Sequence, residues 1–66
     1  MKYWLISYGE RRCGKSWWTN GIDVHAGTIA GWYLEAIAPY QHNCYVIHSV
    51  TEITEEDYKQ LEPHTG

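Results

Sequence analysis

Sixty-six residues allow a single small domain, and a chain of this size buries only ~60% of the surface its unfolded form exposes. Ten aromatic residues, four Trp and six Tyr with no Phe, therefore have to supply most of the core area. The apolar runs fall far short of the ~20 residues of a membrane span, and no basic-then-apolar leader precedes them, so membrane insertion and secretion are not expected. The net charge of -3 conceals an asymmetry. Residues 1–20 hold Lys2, Arg11, Arg12 and Lys15 against Glu10 alone, whereas the remainder sets Lys59 against Asp23, Glu35, Glu52, Glu55, Glu56, Asp57 and Glu62.

Along the chain, Lys2 to Tyr8 (KYWLISY) is aromatic and branched on both alternating faces, which predicts a central strand. Gly9 to Gly14 (GERRCG) has the composition of a loop, and Ser16 to Asp23 (SWWTNGID) resumes strand character, with Asn20-Gly21 marking a turn or bulge. From Thr28 the period changes: Ile29, Trp32, Tyr33, Ala36 and Ile37 form a helical stripe that starts near Asp23 to Ala26, with Asp23 or His25 as cap, and ends at Pro39. Asn43 to Val50 (NCYVIHSV) predicts a third strand. Thr54-Glu55-Glu56-Asp57 reads as a capping box with Ile53 and Tyr58 as a hydrophobic staple, opening a short helix that stops before Pro63.

The predicted order is ββαβα, an α+β domain in which a right-handed crossover sets the third strand beside the first in a three-stranded antiparallel sheet of order 2-1-3. One main helix covers one sheet face. Adjacent strand residues point to opposite faces, so one of Trp17 and Trp18 is expected in the core and the other exposed.

Three patterns suggest chemistry and lose it on context. Gly9-Glu10-Arg11-Arg12-Cys13-Gly14-Lys15-Ser16 matches a phosphate-binding loop, but Trp17-Trp18-Thr19-Asn20-Gly21 is a poor helix opening and the chain cannot build the parallel sheet. What remains is a cationic hairpin tip of Arg11, Arg12 and Lys15. His42, Cys44 and His48 share parity on the third strand, with Cys13 or His25 available to complete a zinc set, yet positions 42 and 48 lie roughly 20 Å apart along a strand, and no metal or other cofactor is expected. His48 is expected to be a half-buried strand residue. Cys13 and Cys44 read as reduced thiols. Pairings of Cys13, Ser16 or Ser49 with a histidine base need a pocket that so short a chain rarely encloses, so catalysis is not expected.

The aromatic surplus carries the functional reading. Tyr8, Arg11, Arg12, Lys15, Trp17 and Trp18 lie together on the first hairpin, and Trp, Tyr and Arg are the residue types of interface hot spots. Glu52, Glu55, Glu56 and Asp57 form an alternative acidic surface, either a solvated helix start or a mimic of phosphate.

The aromatic opening strand KYWLISY, the central SWWTNGIDVHAGTIAGWYLEAIA and the closing YVIHSVTEITEEDYKQLE resemble small prophage and bacteriophage accessory proteins over nearly the whole chain. The resemblance implies a cytoplasmic protein of the bacterial host cell that binds and blocks a host defence or transcription complex, as anti-CRISPR proteins do. It carries no catalytic residue. The expected function is thus a stoichiometric inhibitor acting by protein contact, with homo-oligomers possible. The alternative is a small nucleic-acid module in which the basic loop grips phosphate and a Trp stacks on a base.

Overall fold

The computed structural model describes residues 1–64. Strand β1 (Tyr3–Arg11), strand β2 (Thr19–Ala26), helix α1 (Ile29–Ala36), a 3-10 turn (Ala38–Tyr40), strand β3 (Cys44–Ile53), helix α2 (Glu55–Leu61) and a second 3-10 turn (Glu62–His64) follow in order. The fold is α+β, and its sheet is antiparallel throughout with the order β2-β1-β3. β1 lies in the middle, apolar on both faces, and is the strand in which no residue is exposed.

Alternation assigns the faces. Trp4, Ile6, Tyr8 and Glu10 point to the first face, where α1 lies; Tyr3, Leu5, Ser7, Gly9 and Arg11 point to the second. On the first face Ile6, 0% exposed, packs with Trp32 and Ile37, flanked by Trp4, Tyr8, Ile29, Ala36 and Tyr45. The Trp32 indole donates to the Asp23 carboxylate at 2.8 Å, which fastens α1 to β2. On the second face α2 covers one end: Tyr58 packs on Tyr3 with the rings tilted by 44° and their centroids 5.0 Å apart, near buried Val24.

Several boundaries depart from the sequence-based expectation. β1 runs on through Gly9, Glu10 and Arg11, since the pairing with β2 continues to Glu10 opposite Thr19 and the pairing with β3 to Arg11 opposite Cys44. Trp17 and Trp18 precede β2 instead of opening it. Asn20 and Gly21 are not a turn: they pair with Gly9 and Tyr8. Glycine is needed at 21 because a Cβ there would lie 2.7 Å from the Tyr8 ring.

Asp23 and His25 belong to β2, so neither caps α1. Thr28 does, its hydroxyl accepting from the Gly31 amide at 3.0 Å. Tyr33 drops out of the buried stripe at 52% exposure because it points beyond β1 towards Tyr45 and Ile47 of β3. β3 begins at Cys44 and reaches Ile53. Its pairing with β1 contains a bulge: Ser49 faces Ser7 and Ile47 faces Tyr8, leaving His48 as the extra residue. His48 is exposed, not half-buried, and His42 lies before the strand.

Thr54 caps α2, accepting from the Asp57 amide at 3.1 Å, as the sequence indicated. Thr54→Ala is expected to lower stability by about 1 kcal/mol, measured by urea denaturation. Thr54→Ser should restore most of the loss.

Candidate functional site: the hairpin tip

The β1–β2 connection closes through a turn in which the Lys15 amide donates to the Arg12 carbonyl at 3.0 Å. Gly14 adopts φ +83°, a conformation that side-chain-bearing residues rarely take. The Cys13 amide donates to Asn43 Oδ1 at 3.0 Å, tying the loop to the segment that enters β3. The phosphate-loop match ends at Ser16 and the next element is strand β2, so no helix opens from this turn.

Trp17 and Trp18 are 59% and 48% exposed, and neither enters the core. The expected split between a buried and an exposed tryptophan fails because both residues lie in the connection, outside the pleat that would have driven one of them under α1. They still diverge. Trp17 sits with Glu10, Arg12, Lys15 and Thr19 around a small depression of about 190 Å³. Trp18 lies on the second face above Gly9, where a Cβ would meet its ring at 3.6 Å and His48 Nε2 at 3.1 Å.

Each indole carries a cation. Lys15 Nζ stands 5.1 Å from the Trp17 ring centroid, and the Arg11 guanidinium 5.6 Å from that of Trp18. Arg11 also donates to Cys44 Sγ at 3.4 Å. Arg12 approaches Glu10 at 3.5 Å, an exposed pair that adds little to stability. The tip is thus a rigidified aromatic and basic surface with cations on both sides of the sheet. Cys13 and Cys44 are both exposed free thiols, and no group of three or more metal-ligating side chains occurs among the described residues.

Tyr8 does not join this surface. It turns to the first face, half-buried, with its ring 6.0 Å from that of Trp32. There it lines an open cleft of about 650 Å³ with Glu10, Arg12, Tyr40, His42 and Tyr45 among its walls. The chain length gave no reason to expect such a cleft. Its walls come from β1, the tip, the end of α1 and the entry to β3, so no local motif announces it.

Burial, with Asp23 and Glu10 nearby, raises the Tyr8 phenol above its ordinary value of 10.0. Burial also raises Tyr45; Asn43, hydrogen-bonded to the same hydroxyl, pulls it down, while Glu10 pushes it up. Both phenols hold their protons more tightly folded than unfolded. Their contribution to stability is complete below pH ~10 and is lost as pH rises through the folded values. Urea denaturation across an alkaline pH series should show that decline, and Tyr8→Phe should make it shallower.

The acidic residues Glu52, Glu55, Glu56 and Asp57 are all exposed at the other end of the sheet, where β3 passes into α2 beside Tyr3. Glu55 pairs with Lys59 at 3.1 Å, which keeps the lysine protonated above its ordinary range. The two charged surfaces therefore sit at opposite ends of β1, in a molecule 38 Å long and 20 Å across. No helix among the described residues is long and apolar enough to cross a membrane. No protein-family model matches the chain, and no match was found among the curated proteins or the solved structures.

Proposed function

We propose that this chain is a non-enzymatic binding protein whose contact surface is the hairpin tip, and that it acts as a stoichiometric inhibitor of a host complex, of the phage or prophage type. One observation carries the reading: two tryptophans stand outside the core at one end of the molecule, each beside a cation. Exposed indoles have no role in stability that would justify their exposure, whereas an interface gains most from burying such side chains. Arg11, Arg12 and Lys15 give the tip a positive field that speeds encounter with an acidic partner surface.

A nucleic-acid contact uses the same residue types. Against it, the overall charge is -3, whereas nucleic-acid-binding domains are usually strongly basic. Affinity capture from a bacterial lysate distinguishes the two. The intact chain is expected to retain one host protein or complex after nuclease treatment and at raised salt, and Trp17→Ala/Trp18→Ala to release it. Recovery of nucleic acid that washes off steeply with salt would replace the proposal with the alternative.

A further inference from the structure

β3 is an edge strand of ten residues with one side on β1 and, among the described residues, no strand on the other. Long exposed edges are normally blunted by charge, above all lysine. From Cys44 to Thr51 this one carries no Asp, Glu, Lys or Arg, and it leaves Val46, Ile47 and Val50 exposed. The opposite edge is treated differently: on β2 Asp23 accepts from the Val24 amide at 2.9 Å and places a charge in mid-strand.

We propose that β3 pairs with β3 of a second copy, antiparallel about a two-fold axis between His48 and Ser49, to form a continuous six-stranded sheet. Two features of this chain select that occupant and that register.

The first is the bulge. In a regular strand, positions whose numbers sum to an odd value face opposite sides and cannot oppose one another in an antiparallel pair. Here the extra residue His48 points to the second face, above Gly9, and Ser49, opposite Ser7, points there too. The side-chain pattern therefore reverses at the centre of the strand and becomes symmetric about it. Ile47 and Val50 share the first face, being opposite Tyr8 and Ile6; Val46 and Thr51 share the second, being opposite Gly9 and Leu5. Pairing over the full length sets Ile47 against Val50 of the other copy and Val46 against Thr51, with every pair on a common face. A shift by one residue breaks the match on both sides of the axis.

The second is charge. The Cys44 end of β3 adjoins the basic tip through Arg11, and the Ile53 end leads into the acidic start of α2. Antiparallel pairing brings the tip of one copy beside Glu52, Glu55 and Glu56 of the other, across roughly 10 Å or two strand spacings, and does so twice. Parallel pairing would set like charges together. Trp17 stands at the tip and Trp18 on the second face above Gly9, near His48; the pairing rests on the edge and register of β3, not on the indoles or on the function proposed above.

Light scattering on the purified full chain tests the pairing, at concentrations from about 10 µM to about 1 mM. A mass of twice 7.7 kDa is expected, falling to the single-chain mass in Val50→Lys while the circular dichroism stays that of the folded chain. Register is tested by Val46→Cys/Thr51→Cys with Cys13→Ser and Cys44→Ser. The two new thiols lie far apart within one chain, but opposed across the seam they fall within disulfide reach. Oxidation should give a covalent dimer in the double variant and not in either single cysteine variant. A single-chain mass for the intact protein throughout, an unchanged dimer in folded Val50→Lys, or cross-linking that does not require both cysteines would each overturn the proposal.

Discussion

Trp32→Ala is expected to leave most of the chain unfolded at room temperature. Trp32 is 4% exposed, closes over Ile6 and Ile37, and donates its indole proton to Asp23. Truncating a buried tryptophan costs about 3–5 kcal/mol in lost transfer energy and residual cavity, as much as the core of so small a domain supplies altogether. Among the described residues only Ile6, Val24, Trp32 and Ile37 are buried hydrophobics, so no second cluster is left to hold α1 on the sheet. Trp32→Phe keeps an aromatic ring in place and loses the bond to the carboxylate, so it should remain folded with a smaller loss, about 1.5–3 kcal/mol for that bond alone. Tyr33→Ala, on the exposed side of the same helix, should change little. Urea denaturation followed by circular dichroism separates the three. A cooperative Trp32→Ala transition near that of the wild type would place the core elsewhere.

The order of elements and the sheet topology were legible because each rests on a local signal. β1 is apolar on both faces and can only be central, Thr54 and Asp57 spell a cap, and the Ile29 to Ile37 stripe switches the period. Boundaries were less legible, because strand pairing overrides local composition. Gly9, Glu10 and Arg11 look like a loop in isolation, yet β3 pairs with all three and β2 with Gly9 and Glu10. Asn20-Gly21 looks like a turn for the same reason. At Gly21 the Tyr8 ring instead lies where a Cβ would stand, a requirement set by a residue thirteen positions earlier.

The basic tip could be read in advance because Arg11, Arg12 and Lys15 are close in sequence. The fate of the tryptophans could not. The expectation that one would be buried rested on strand geometry at Trp17 and Trp18, and it fails because they stand two residues and one residue short of where β2 begins to pair. The bulge at His48 is equally silent: alternation in NCYVIHSV continues smoothly, and only the register against β1 exposes the extra residue. That register is also what makes the outer edge of β3 symmetric.

Trp17→Ala and Trp18→Ala are each expected to weaken binding to the captured partner by about 2 kcal/mol or more, roughly thirtyfold, while the melting temperature hardly moves for the first and falls only modestly for the second. The reasoning differs from one residue to the other. Trp17 touches the tip alone, beside Lys15 and the small depression near Arg12, so its removal should leave the fold intact. Trp18 lies over Gly9 beside Arg11, and Ala there should cost a modest amount of stability as well. Arg11→Ala and Arg12→Ala should act chiefly on the association rate and its salt dependence, as charges at the rim of an interface do. Isothermal titration with the purified partner, paired with thermal melts of each variant, reads both quantities. If both tryptophan variants bind with unchanged affinity, the tip is not the contact surface. Charge reversal at Glu52, Glu55, Glu56 and Asp57 would then show whether the opposite end makes it, because a contact there should weaken with each reversal and be indifferent to the indoles.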